Sequence, residues 1–193
     1  MRADYHSAHY PVQEAEGQGR AVFPNGVAQT YDVTTGNLPS EFGNCDLIYA
    51  DPSWRRGYDI FNTRAGIDGD YKEYCRAMIN IVSLGVPTVY VWGAHVREQL
   101  PSDRRDVPVM LNENRAVAYL FNGASLKGPV ETAEDVLADL AQQYDHIGDP
   151  CCGYGNTARA ATRYNKRFCV SDVNPACIGY IADHYPTWEG AHV

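Results

Sequence analysis

The chain has 193 residues, of which 45% are hydrophobic and 21% charged, a composition typical of globular proteins with one sizeable core. Its net charge of −8 at pH 7 excludes a protein that grips duplex nucleic acid through a broad basic surface, although a local basic track is compatible with it. The sequence contains neither an apolar run long enough to span a membrane nor the apolar core of a signal peptide, so we expect a cytoplasmic protein.

The start of the chain differs in composition from the rest. Residues 1–19 are polar and weakly patterned, which predicts an N-terminal arm ahead of one domain over residues 20–193. None of the six cysteines belongs to a Cys-x-x-Cys pair. Buried, reduced thiols are therefore favoured over disulfides or a zinc site, and we assign no metal ligands.

The first predicted strands lead to a turn that carries chemistry. Residues 21–23 and 27–33 surround a Pro-Asn-Gly turn and predict a β-hairpin that ends at Asp32. After a loop or short helical turn, Leu47–Ala50 is typical of a buried strand, and Asp51-Pro52-Ser53-Trp54 leaves its carboxyl end. Open α/β sheets hold their binding sites at such edges. This turn offers a carboxylate, a carbonyl whose direction proline fixes and a flat ring; a plain structural turn is the alternative.

The middle of the chain predicts alternating helices and strands. Residues 57–70 show no clear period and predict a loop, whereas residues 71–84 have apolar side chains at helical spacing. Thr88–Trp92 is β-branched and aromatic, which predicts a second central strand. Residues 107–121 predict an antiparallel hairpin at one side of the sheet, and residues 132–144 a helix with acidic residues at its start.

A glycine-rich turn follows His146. The sequence Asp149-Pro150-Cys151-Cys152-Gly153-Tyr154-Gly155-Asn156-Thr157 precedes a helical stretch, a strand over residues 168–171 and Asp172 at the end of that strand. Strand, glycine-rich turn, helix, strand and acid form a nucleotide-binding half unit. Gly153 and Gly155 let the backbone pass close to a ligand, and we expect Asn156 to cap the following helix.

The turn differs from the dinucleotide-binding fingerprint. It lacks a third glycine in register, and Asp149 at its mouth would repel a pyrophosphate while attracting a cationic or amino-bearing group. Asp172 follows at a distance suited to a ribose diol. A ligand with a ribose and an ammonium group but no phosphate is S-adenosylmethionine.

Both turns resemble motifs of the amino-group DNA methyltransferases. Residues 149–157 are similar to their cofactor-binding Asp-Pro-Phe-x-Gly-Ser-Gly-Thr-Thr, and residues 51–54 resemble their catalytic Asp-Pro-Pro-Tyr/Phe/Trp. The catalytic motif comes first, as in the circularly permuted members, and the resemblance covers residues 32–183. It implies a single-domain, Rossmann-like methyltransferase fold of the α/β class, with a doubly wound, mostly parallel sheet and an antiparallel hairpin.

The resemblance also implies roles for individual residues. Asp51 and the Pro52 carbonyl would accept hydrogen bonds from an exocyclic amino group while Trp54 stacks on the base, and a duplex base would first be flipped out. Asp32 would meet the adenine of S-adenosylmethionine, Asp172 its ribose, and the glycine-rich turn its methionine end. The implied cofactor-binding residues are Asp32, Asp149, Pro150, Cys151, Gly153, Gly155 and Asp172.

The acceptor side is less sharply determined. We assign Ser53, Arg55, Arg56 and Tyr58 to substrate binding, although the arginines are also compatible with solvated surface charges. Tyr58 and Phe61 either line the acceptor pocket or fill the core. Ser53 replaces the second proline of the family motif, which loosens the turn.

The sequence leaves the acceptor open. An Asp-first motif favours adenine N6 in DNA by resemblance, since cytosine-N4 enzymes more often begin it with Ser. RNA or a small molecule is an alternative acceptor, and an inactive methyltransferase-like binding protein is an alternative function. Because residues 121–131 leave no room for a target-recognition domain, selectivity is expected from loops, the arm or a partner subunit. A homodimer is a further alternative for the assembly.

Overall fold

One eight-stranded sheet organises the fold. The computed structural model describes residues 19–188, so the predicted N-terminal arm lies outside the described residues except for Gly19. The strands are β1 (Arg20–Phe23), β2 (Gly26–Thr30), β3 (Leu47–Ala50), β4 (Thr88–Trp92), β5 (Arg105–Leu111), β6 (Asn114–Phe121), β7 (His146–Asp149) and β8 (Arg167–Asp172). The helices are α1 (Arg55–Ala65), α2 (Tyr71–Val82), α3 (Ala133–Gln143), α4 (Asn156–Arg163) and α5 (Pro175–Trp188).

The strands lie in the order β1-β2-β8-β7-β3-β4-β6-β5. The five central strands, β2, β8, β7, β3 and β4, are parallel, while β1 pairs antiparallel with β2 and the β5–β6 hairpin pairs antiparallel with β4. The predicted α/β fold with a mostly parallel sheet and an antiparallel hairpin is confirmed, and the hairpin at the start of the domain is also present.

Helices cover both faces of the sheet. On one face Ile48, Tyr90 and Trp92 pack against α2, and on the other face Leu47, Val89 and Val91 pack against α3. The helices α4 and α5 lie against β2 and β8 on the same face as α3. Central strands are thus buried on both faces, which explains why they are nearly continuous apolar runs.

The helix α1 departs from the sequence prediction, which places a loop at residues 57–70. Only Tyr58 and Asn62 are buried among the side chains described in this helix. Because Asn62 is polar, the helix buries a single large apolar side chain and shows no apolar period in the sequence, and two arginines replace the acidic residues expected at a helix start. The helix ends at Gly66, whose φ of +69° forms a left-handed cap.

Gly148 in β7 lets the chain segment that precedes β3 pack closely on the sheet. A Cβ atom at Gly148 would lie 2.8 Å from Cδ1 of Ile48, 2.9 Å from Cδ1 of Phe42 and 3.0 Å from Sγ of Cys45. These side chains therefore pack directly on the β7 backbone. All six cysteines are free thiols, and five of them are buried.

Over residues 19–188, every helix is too short or too polar to cross a bilayer.

We expect the substitution Gly148→Ala to lower the free energy of unfolding by about 1–3 kcal/mol, since the added methyl group overpacks this layer. Gly43→Ala is the matched control, because a Cβ atom at Gly43 meets no other atom within 4 Å. Urea denaturation of both variants measures the difference. An equal loss in the two would contradict the close packing over β7.

Candidate functional site

The two motif turns lie side by side at the carboxyl edge of the sheet. They follow β3 and β7, which are neighbouring parallel strands. From β3 the chain goes on to β4 on one side, and from β7 it goes on to β8 on the other side. The turns therefore flank the switch point of the sheet, where open α/β folds form their ligand crevice.

Three aspartates lie close to this switch point. Asp149 pairs with Val170 in the sheet, and extending the register puts Asp51 and Asp172 two residues further along, about 7 Å higher. The strands that precede Asp51 and end at Asp172, β3 and β8, flank β7 and are about 10 Å apart. Asp149 is 1% exposed, whereas Asp51 and Asp172 are partly exposed.

Asp149 and Asp172 both hold the glycine-rich loop. Asp149 accepts hydrogen bonds from the Cys151 amide at 3.1 Å and from the Thr157 hydroxyl at 2.5 Å. Asp172 accepts from the amides of Gly153 and Asn174, each at 2.9 Å. The expectation that Asp149 lies at the mouth of the turn is wrong, because the strand register buries it beneath the loop.

The two glycines of the loop serve different ends. Gly153 has a φ of +50°, and a Cβ atom there would meet nothing within 4 Å, so the loop is open at this point. Gly155 has a φ of +84°, and its Cβ atom would lie 2.6 Å from Cγ1 of Ile181. Gly155 therefore brings the loop against α5, whereas Gly153 leaves space for a ligand.

The prediction that Asn156 caps α4 is wrong. The capping residue is Gly155, which has no side chain to accept a hydrogen bond. Asn156 belongs to the first turn, and its Oδ1 atom accepts a hydrogen bond from Arg159 at 3.0 Å.

A tyrosine of α2 anchors the Asp51–Trp54 turn. The Ser53 amide donates a hydrogen bond to the Tyr74 hydroxyl at 3.1 Å. A second proline at this position would have no N–H group to donate. Ser53, which stands where the resembling motif has its second proline, thus provides a hydrogen bond that fixes the turn. Burial and then the nearby Cys151 thiol raise the pKa of Tyr74, so this side chain lies close to both motifs.

The ring of Trp54 contacts a histidine, His95, that the sequence motifs do not include. Trp54 and His95 meet edge to face, with ring centroids 6.0 Å apart. His95 lies over Gly93, where a Cβ atom would be 2.5 Å from Nδ1, and its Nε2 atom is 3.3 Å from the Tyr71 hydroxyl. The sequence signal that could have indicated His95 is its position just after β4, the strand that pairs with β3.

The remaining predicted residues lie at the same edge in different environments. Asp32 accepts hydrogen bonds from the amide and hydroxyl of Thr34, at 2.9 and 2.7 Å, and so caps a short helical turn beyond the end of β2. Tyr58 is 6% exposed, and its ring packs against that of Tyr74 at a tilt of 37°, so it fills the core rather than lining the acceptor pocket. Arg55 and Arg56 are exposed in the first turn of α1.

The aspartates share an electrostatic environment that disfavours negative charge. The pKa of Asp51 is raised to about 7, chiefly by burial and to a lesser extent by the negative charges of Glu134 and Asp172. Burial and then the Asp51 charge raise the pKa of Asp149 well above its usual range, and burial raises that of Asp172. A cationic ligand in the crevice would relieve this repulsion.

The comparisons with known proteins identify the fold. No known sequence family matches the chain, and no curated protein matches it in sequence. The solved complex of M1.HpyAVI with SAM is 10% identical with a TM-score of 0.54, covering 82% of this chain and 98% of that one. The cytosine-N4-specific PvuII DNA methyltransferase is 10% identical with a TM-score of 0.53, covering 87% of this chain and 94% of that one. The chain thus has the fold of DNA methyltransferases.

Asp51→Asn should stabilise the protein at pH 8 by about 1–3 kcal/mol. The pKa of Asp51 is about 7 in the folded protein, above that of an unfolded chain, so the folded protein holds this proton more tightly. As the pH rises towards 7 and above, Asp51 loses the proton and its contribution to the stability of the folded protein is lost. The advantage of the variant should shrink as pH falls to about 4. Urea titrations across this range measure it. Asp59→Asn, an exposed carboxylate on α1, is the control, and the same pH dependence in both variants would contradict the buried-charge explanation.

The Ser53–Tyr74 hydrogen bond predicts a non-additive mutant cycle. Ser53→Pro and Tyr74→Phe each remove this bond, so each should cost about 1 kcal/mol of unfolding free energy. The double variant should lose less than the sum of the two, because the bond can be lost only once. Chemical denaturation of the four proteins provides the test. Strict additivity would show that the two groups do not interact.

Proposed function

We propose that this protein is an S-adenosylmethionine-dependent methyltransferase that acts on an exocyclic amino group, with adenine N6 in DNA as the favoured acceptor. The observation that carries the proposal is the adjacency of the glycine-rich loop and the Asp51–Trp54 turn at the switch point of a sheet with a DNA methyltransferase fold. A donor site and an acceptor site would then share one crevice.

The crevice fits the chemistry of S-adenosylmethionine. The backbone is open at Gly153, and Asp149 and Asp172 have raised pKa values that a sulfonium or ammonium group would lower again. Asp172 would bind the ribose hydroxyls with the lone pairs that its two amide contacts leave. Asp32, beyond the neighbouring end of β2, would bind the adenine. No part of this arrangement needs a phosphate.

The acceptor turn supplies hydrogen-bond acceptors and a stacking ring. When bound, S-adenosylmethionine supplies an electrophilic methyl group. Asp51 and the Pro52 carbonyl would accept hydrogen bonds from the amino group and direct its lone pair, while Trp54 stacks on the base. A carboxyl with a pKa of about 7 is also suited to take up the proton that the amino nitrogen loses. Positioning in a dry site provides most of the rate.

The choice of adenine rests on the Asp-first turn. The fold alone does not choose between the two amino acceptors, since the similar PvuII enzyme is cytosine-N4-specific. The order of the motifs favours the circularly permuted branch of the family. Between β6 and α3 the described chain has only residues 122–132, so selectivity falls to α1, neighbouring loops or a partner subunit.

Two variants should separate cofactor binding from methyl transfer. Asp172→Asn should weaken S-adenosylmethionine binding about 10- to 150-fold, the effect of losing a charge-assisted hydrogen bond. Asp51→Ala should keep that binding and lose transfer of tritiated methyl to adenine-containing DNA. Calorimetry and the transfer assay measure the two effects, with Asp59→Ala as the control that retains both.

The outcomes also distinguish the alternatives. A wild-type protein that does not bind the cofactor, or an Asp51→Ala variant with full turnover, would overturn the assignment. Cofactor binding without transfer to any nucleic acid would indicate a binding protein. Mass spectrometry of nucleosides from cells with and without the protein would reveal RNA as the acceptor.

A further inference from the structure

The outer surface of α1 has an unusual composition for an exposed helix. Ile60 and Phe61 are 41% and 43% exposed, and they are adjacent in sequence. Arg56 is exposed one turn before Ile60, and Gly57 lies one turn before Phe61. Residues four apart are neighbours on a helix, so Arg56 and Ile60 form one row and Gly57 and Phe61 form the row beside it. We call these two rows together the α1 patch.

The phenyl ring of Phe61 points back towards the start of the helix. A Cβ atom at Gly57 would lie 3.7 Å from Cε2 of Phe61, so the far edge of the ring rests over the glycine. A side chain at Gly57 would cover this face of the ring. The α1 patch therefore presents a flat aromatic surface within the first turns of the helix.

The position of the patch connects it with the acceptor turn. Trp54 is the residue that begins α1, so the helix leaves directly from the proposed acceptor site. Phe61 lies about 10 Å along the helix axis from Trp54. This span corresponds to one or two neighbouring nucleotides of an extended strand.

The charge of the patch indicates the chemistry of its occupant. Within residues 19–188, Arg55 and Arg56 form no ion pair, although the chain as a whole is acidic. On the helix Asp59 lies one turn after both Arg55 and Arg56, on the flank away from Phe61. A guanidinium without an ion pair on one flank of the helix and an exposed ring on the other suit a ligand with both phosphates and flat apolar faces.

We propose that the α1 patch binds single-stranded nucleic acid next to the acceptor base, with Phe61 stacking on a neighbouring base and Arg56 contacting a phosphate. This inference rests on the proposed function and adds the form of the substrate. A stacking surface requires an unpaired base, and the net charge of −8 disfavours a duplex gripped along its length. The preferred substrate is therefore an unpaired or locally opened strand.

Fluorescence anisotropy tests the proposal with a labelled adenine-containing DNA strand of about 12 nucleotides, its duplex, and RNA of the same sequence. The wild type should bind a single strand more tightly than the duplex. Phe61→Ala should weaken that binding about 5- to 150-fold, the effect of losing one stacked base. Arg56→Gln should reduce the salt dependence by about 0.7 in the log–log slope.

Controls keep the general properties of the surface constant. Val22→Ala removes an apolar side chain that is 68% exposed on β1, the edge strand at the other side of the sheet, and Arg115→Gln removes an exposed charge on β6. Both should leave strand affinity unchanged. Phe61 is exposed, so its replacement should also leave the thermal unfolding midpoint unchanged.

Each outcome supports or overturns the proposal. Loss of binding in Phe61→Ala but not in the controls supports it. The proposal is overturned if the wild type binds no single strand, if it binds the duplex more tightly, or if Phe61→Ala leaves the affinity unchanged. It is also overturned if the wild type self-associates and Phe61→Ala makes it monomeric without changing strand affinity.

Calorimetry with S-adenosylmethionine distinguishes this proposal from the proposed methyltransferase function. If the protein binds the cofactor and transfers methyl groups but Phe61→Ala does not change strand binding, only the proposal for the α1 patch is refuted. If strand binding depends on Phe61 but the protein does not bind the cofactor, only the proposed methyltransferase function is refuted.

Discussion

The parallel pairing of β3 with β7 is the constraint on which the site depends. These strands lie far apart in the chain, and only their alignment brings the Asp51 turn beside the glycine-rich loop. Gly148 makes the alignment compatible with a packed layer above it, since Phe42, Cys45 and Ile48 occupy the space of its missing side chain. The location of the site therefore depends on the core as much as on the motif residues.

The site combines this packing with an unfavourable concentration of negative charge. Asp149 is buried and its two oxygens hold the loop, while Asp51 lies where burial, Glu134 and Asp172 oppose its ionisation. Such groups reduce the stability of the folded chain at neutral pH. Carboxyl groups with raised pKa values are typical of functional sites, and a positively charged ligand bound nearby favours their ionised form.

The sequence predicts the sheet and the position of the motifs better than the surroundings of the site. Buried parallel strands such as β4 are continuous β-branched and aromatic runs, and the glycines of residues 153–155 mark a close backbone approach, so both have local signals. The helix α1 has none, because Tyr58 and Asn62 alone do not form a period. The contacts of Tyr74 with Ser53 and of His95 with Trp54 join different elements and depend on how strands and helices pack, which no local pattern encodes.

The Tyr74 hydroxyl has a consequence for how the two halves of the crevice respond to each other. A phenol has one proton and two lone pairs, and here it accepts from the Ser53 amide and lies close to the Cys151 thiol. A displacement of the glycine-rich loop therefore alters the same oxygen that fixes the acceptor turn. A ligand that displaced the glycine-rich loop would therefore also disturb the hydroxyl that holds the Asp51–Trp54 turn, and a coupling that arises in this way acts equally in both directions.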